Sequence, residues 1–132
     1  MICLVDTSAI LALLVHNDKN HTKAYRAFEK LKNDDATLVV SNYILVESFA
    51  LIQSRIGLSA VRAFQEEFLP LVTIHWVDND IHHASITGLL TANRRALSLV
   101  DCVSFEIMRT IQIKAVFTFD KHFKEQGFDC IY

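Results

Sequence analysis

The chain has 132 residues, 52% of them apolar and 21% charged, with one proline and three glycines. That composition suits a chain that buries a core and excludes a linker or disordered tail. A formal charge of −2 with histidines neutral excludes a broadly basic surface, so affinity for phosphate needs a local patch or bound cations.

In chain order, Met1 to Val5 reads as a buried strand, and Thr7 to Leu14 as a short helix capped by Asp6 or Thr7. Residues 20–33 carry Ala24, Phe28 and Leu31 at helical spacing. Residues 36–41 form a second strand. Residues 42–57 form a helix capped by Ser41 or Asn42 and stopped by Gly57, and 59–69 a helix ended by Pro70. Residues 72–77 are strand-like, 78–95 helical with Asp78 or Asn79 as cap, and 98–113 helical again. A strand at 115–119, a turn over DKHFKEQG and a last strand in FDCIY complete the pattern. Short strands alternating with helices predict an α/β fold: a three-layer α/β/α sandwich around a central, mostly parallel sheet of 4–5 strands. No boundary or repeat divides the sequence, and residues 1–132 are expected to form a single domain.

Cys3, Cys102 and Cys130 are scattered through apolar stretches without a Cys-x-x-Cys pair, which reads as core packing in a reducing compartment. No run reaches the roughly 18 apolar residues of a membrane span, and no basic segment precedes a cleavable apolar one. A cytoplasmic protein with no membrane partner is expected. The six histidines include no pair at zinc-ligand spacing.

Four carboxylates interrupt or terminate apolar runs: Asp6, Glu47, Asp101 and Asp120. Taken singly, Asp6 and Asp120 read as helix N-caps, and Ser98 with Asp101 as a capping box. Glu47 has no such role. It lies well inside YILVESFALI, a helix apolar on nearly every side, with Tyr43, Ile44, Ala50 and Leu51 at the positions where a pairing cation would sit. A buried carboxylate without a partner costs several kcal/mol. Glu47 therefore needs a partner such as a metal ion, or faces a water-filled cleft. Asp6 and Asp120 follow strands, so in a parallel sheet they emerge on the same edge. If the four converge, they form an all-oxygen site for Mg²⁺ or Mn²⁺, which activates water and neutralises a phosphate. No Gly-rich phosphate loop is present.

DTSAILALL, SNYILVESFAL, LSLVDC and TFDKHF, in that order along the chain, resemble the PIN domain, and among its members the stand-alone VapC-type toxin ribonucleases. The resemblance covers essentially the whole chain. It implies metal-dependent cleavage of RNA, with Asp6, Glu47, Asp101 and Asp120 as catalytic metal ligands. Thr118 and Ser8 match hydroxyls that support the acids. It also implies an RNA substrate, a homodimer and a small antitoxin that holds the enzyme inactive. A stand-alone RNA-processing nuclease without antitoxin, and a non-catalytic PIN module that binds RNA or a partner protein, are the alternatives.

Arg94, Arg95, Lys121 and His122 flank the acidic motifs and are the candidate RNA contacts, with Arg55 and Arg62 behind them. Trp76 and Phe64 are expected in the core or a subunit interface. A phospho-acceptor receiver would need paired acids after strand one and a late Lys, and a dehalogenase-like phosphatase would need DxDx[TV]. The chain offers neither.

Overall fold

A computed structural model describes residues 1–132. Five short apolar segments form strands: β1 (Ile2–Val5), β2 (Thr37–Ser41), β3 (Val72–His75), β4 (Ala115–Phe117) and β5 (Asp129–Ile131). Seven helices connect them: α1 (Thr7–Leu14), α2 (His21–Asn33), α3 (Asn42–Arg55), α4 (Leu58–Ala63), α5 (Asn79–Ala92), α6 (Leu99–Thr110) and α7 (Lys121–Glu125). The sheet order is β3-β2-β1-β4-β5 and every neighbouring pair is parallel, so the expected mostly parallel sheet is wholly parallel.

The order carries the functional consequence. The chain steps from β1 out to β2 and β3, then crosses back to β4 on the other side of β1 and on to β5. Right-handed crossovers place the helices of the outward path, α1–α4, on one face and those of the return path, α5–α7, on the other. Between β1 and β4 the direction reverses, and beyond their carboxyl ends a crevice opens at that switch point. The helices pack mainly with partners of their own layer, α1 on α2 and α3, α5 on α6, while α3 also meets α6.

Thirty buried apolar residues make one core cluster, among them Leu4, Val40, Ile44, Phe64, Val103 and Phe117. Cys3 and Cys102 belong to it, and burial pushes the Cys3 thiol up to about 12, leaving it unreactive near neutral pH. Phe64 stacks on Phe68 at 5.2 Å and meets Phe49 edge-on at 5.0 Å. Trp76 lies outside the core, 68% exposed.

Several expected boundaries move. The helix expected to 95 ends at Ala92, because Asn93 turns into the left-handed region at φ 51°. The helix expected over 59–69 holds only to Ala63. It widens into a π-turn at Phe64–Phe68 and tightens into a 3₁₀ turn at Leu69–Leu71 around Pro70. The helix expected to stop at Gly57 ends at Arg55. Gly57, at φ 125°, instead precedes the first turn of α4. The expected turn at DKHFKEQG is the short helix α7, capped by Asp120, and β4 ends at Phe117 rather than 119. β3 ends at His75, short of Trp76.

Phe64→Ala removes a fully buried ring from the α3–α4 layer. The expected loss is about 3–5 kcal/mol of unfolding free energy, read as a lower midpoint in urea with an unchanged slope.

Candidate active site

β1 and β4 deliver the first acid and its supports. Asp6 follows β1 directly, and its N–H donates to the carbonyl of Phe117 at the end of β4, 3.0 Å away. Its side chain caps α1 through Ser8 N–H and is 4% exposed. Ser8 Oγ donates to Asp6 Oδ2 at 2.8 Å and Thr118 Oγ1 donates to the same oxygen at 2.9 Å. Each hydroxyl has one hydrogen, so both are committed to Asp6. Their lone pairs accept from the strand exit: Phe119 N–H donates to Ser8 Oγ at 2.9 Å, and Asp120 N–H to Thr118 Oγ1 at 2.9 Å. Asp6 Oδ2 is saturated, while Oδ1 has no hydrogen-bond donor.

Ser98 caps α6 by accepting from Asp101 N–H at 3.0 Å, and Asp101 Oδ2 accepts from Ser98 N–H at 3.1 Å, completing the capping box. The carboxylate is 8% exposed. Asp120 caps α7 by accepting from His122 N–H at 2.9 Å. All three cap assignments drawn from the sequence are therefore realised, and all three caps face one crevice.

His122 departs from expectation. In place of a rim position reaching for phosphate, it is buried beside the acids. Its Nδ1 lies 2.7 Å from Asp120 Oδ1 and 4.0 Å from Asp101 Oδ2. Asp101, Asp120 and His122 each present a donor atom, all within 4.8 Å of one another. The only sequence signal was its position, two residues after a cap and next to Phe123, which is fully buried.

Glu47 is also placed differently. The buried stripe of α3 is Ile44, Leu45, Ser48 and Ile52, and Glu47 falls beside it, half-buried, while Val46 is 71% exposed. It has no ion pair or hydrogen bond. It lines a cleft of about 320 Å³ with Asn42, Tyr43, Val46 and Val100, the last adjacent to Asp101. Glu47 thus borders a cleft, one of the two settings expected for it. It is not a member of the close group of donor atoms around Asp101, Asp120 and His122.

The basic candidates divide. Arg94 is tied to Glu125 of α7 at 2.8 Å, whereas Arg95 and Lys121 are exposed and free of ion pairs. Arg62 pairs with Glu66 at 3.7 Å, and Arg55 lines another groove beside His16 and Glu67. Lys121 and Lys124 border a pocket of about 180 Å³ next to Asp120.

The electrostatics of the crevice are unbalanced. Burial raises the Asp6 carboxyl from the ordinary 3.8 to about 6; the hydroxyls of Ser8 and Thr118 oppose this and the charges of Asp101 and Asp120 add to it. Burial raises Asp101 as well, with the charge of Asp120 contributing and the Ser98 backbone and His122 opposing. Three acids in one low-dielectric crevice call for a counter-charge. The donor set fits a divalent cation: carboxylate oxygens at close range, one oxygen of Asp6 unclaimed, and a buried imidazole that makes no hydrogen bond.

The profile of the PIN domain family matches residues 3–129. The chain belongs to the PIN domain family. It is 30% identical over 125 residues to the 23S rRNA-specific endonuclease VapC20 of Mycobacterium tuberculosis, across 94% of this chain and 93% of that one. The crystal structure of M. tuberculosis VapC20, described as a sarcin-ricin loop cleaving toxin, has a TM-score of 0.84 at 29% identity, covering 97% of this chain and 96% of that one. VapBC2 of Rickettsia felis, crystallised on a DNA fragment from its promoter, gives 0.71 at 13% identity, with 98% and 97% covered. FitAcB of Neisseria gonorrhoeae gives 0.70 at 17%, with 100% and 97% covered. The last two share the PIN fold with this chain at low identity. In this PIN domain three of the four sequence motifs, those of Asp6, Asp101 and Asp120, come together at the β1/β4 switch point.

A carboxyl whose pKa is higher in the folded chain binds its proton more tightly there. Asp6 thus costs nothing below about pH 4, and its cost grows as pH rises from about 4 to about 6. In EDTA, Asp6→Asn is expected to be more stable than the parent at pH 7.5 by about 1–3 kcal/mol, with the gap closing by pH 4. Urea unfolding at several pH values reads this, and a gap independent of pH would contradict it.

Proposed function

We propose that this protein is a divalent-metal-dependent endoribonuclease and the toxin of a toxin–antitoxin pair. The observation that carries the reading is the convergence of Asp6, Asp101 and Asp120 in the β1/β4 crevice of a PIN domain, short of positive charge and held by hydroxyls. The 30% identity to a 23S rRNA-specific endonuclease supports RNA as the substrate and makes ribosomal RNA the first to offer.

Bound there, Mg²⁺ or Mn²⁺ supplies a water of lowered pKa and neutralises a phosphodiester undergoing in-line displacement. The protein's part is orientation. Asp101 and Asp120 are donors carried on helix caps, and Ser8 and Thr118 fix Asp6 so that Oδ1 remains available. Glu47 completes the quartet by adding a fourth negative charge or holding a water. Arg95 and Lys121 sit free at the surface and meet the flanking phosphates. Arg94 is held back by Glu125.

The partners in this reading are an antitoxin that covers the acidic crevice and a second copy of the chain. Exposed Val46, Trp76 and Leu90 supply apolar area for the latter. No helix is long and apolar enough to cross a membrane, which accords with a proposed cytoplasmic site of action.

The test is cleavage of total RNA, ribosomal RNA included, with Mg²⁺, with Mn²⁺ and with EDTA. Discrete divalent-dependent cuts are expected, slowed at least about a hundredfold by Asp6→Asn and by Glu47→Gln. Asn retains the capping oxygen, so the loss reads as lost charge at the site and not as an unfolded α1. Cuts that survive EDTA or both substitutions would overturn the reading. A folded protein that neither cuts nor binds Mn²⁺ would support a PIN module that binds RNA or protein.

A further inference from the structure

His122 is the one buried polar group in the crevice that the four-acid scheme leaves without a task. Its side chain is 8% exposed, and neither ring nitrogen has a hydrogen-bond partner. The approach of Nδ1 to Asp120 Oδ1 is short but not aligned for hydrogen bonding, and that oxygen already accepts from the His122 backbone N–H. Buried imidazoles are ordinarily hydrogen-bonded, so one that makes only ion-pair approaches to two carboxylates, with no hydrogen bond, has capacity for a further partner.

The spacing suits a shared metal ion. Donor atoms about 2.1 Å from a shared ion in octahedral array stand about 3.0 Å apart when adjacent and about 4.2 Å when opposite. Nδ1 lies 2.7 Å from one carboxylate oxygen and 4.0 Å from another, and the donor atoms of the three residues stay within 4.8 Å. The ring is held there by the local fold: Asp120 caps α7, which fixes His122 at its second position, and fully buried Phe123 follows.

We propose that His122 is a direct metal ligand through Nδ1. With Asp101 and Asp120 it makes a mixed nitrogen–oxygen site that takes Mn²⁺ and related first-row ions in preference to Mg²⁺. Imidazole suits first-row transition ions, whereas Mg²⁺ favours oxygen donors and keeps most of its waters. The proposal rests on the metal-dependent reading above and refines it: Glu47 lies outside the close donor group, and His122 lies within it.

The probe is Mn²⁺ alone, added to the purified full chain and followed by electron paramagnetic resonance. Electron spin echo modulation of the wild-type complex is expected to show a directly bound ¹⁴N, absent from His122→Gln. That variant is expected to bind Mn²⁺ at least about tenfold more weakly, while Mg²⁺, measured by displacement of Mn²⁺, changes by less than about threefold. Mn²⁺ bound by the wild type without nitrogen coupling would overturn the proposal and leave metal-dependent cleavage standing; it is the outcome expected if His122 is only a protonated counter-charge to Asp101 and Asp120. Coupling that persists in His122→Gln would assign the nitrogen elsewhere and overturn it too. No Mn²⁺ binding at all would remove both this proposal and the metal reading. The wild-type spectrum decides even if the variant does not fold.

Discussion

Everything at the crevice depends on one oxygen. Asp6 Oδ2 takes the only hydrogen of Ser8 and the only hydrogen of Thr118, and the spent hydroxyls then accept the N–H groups of Phe119 and Asp120. The exit of β4 is thereby tied to the exit of β1 through side chains, beyond the last sheet hydrogen bonds. The direction in which Asp120 leaves the sheet, and with it the start of α7 and the place of His122, follows from where Asp6 sits. A buried carboxylate is a poor stabiliser, yet here it sets the geometry of the return path.

The acids are economical in another sense. Asp6 and Asp120 each cap the start of a helix, and Asp101 completes the capping box of a third, as well as facing the crevice. A cap contributes about 1 kcal/mol, and burying a charge without a partner costs more than that. The balance is met elsewhere, by the fully apolar strands and the continuous core they share with the helices. Local strain of this kind is common at functional sites and is tolerated because the surrounding fold over-determines them.

Much of this was legible in the sequence. Strand length and apolar continuity identified a parallel sheet, and a carboxylate directly after a strand implied a place at its carboxyl edge. The capping patterns at Asp6, Ser98–Asp101 and Asp120 are properties of a few neighbouring residues, and they were correctly read for that reason. The burial of His122 and the degree of burial of Glu47 were not, because burial is decided by which side of a helix meets the next layer. The sequence YILVESFALI is apolar on nearly every side and so does not announce that Val46 is exposed and Glu47 half-buried beside a cleft. His122 looks like a surface residue between two lysines until α7 folds back over the crevice. The π-turn at Phe64–Phe68 likewise answers to the fit of three aromatic rings, a packing condition no local pattern encodes.

β1 is the central strand and also the first one made. Its hydroxyl partner Thr118 lies 112 residues further along the chain than Asp6. At about 5–20 residues per second, a ribosome needs roughly 6–22 s to bridge that separation. Until then the strand beside β1 on the return side is missing, Asp6 lacks one of its two hydroxyl donors, and neither Asp120 nor His122 exists. A nascent chain therefore carries no assembled acidic site until the residues around Thr118, Asp120 and His122 have been made. The crossover topology makes the site wait on the return strands, however early its central strand is made.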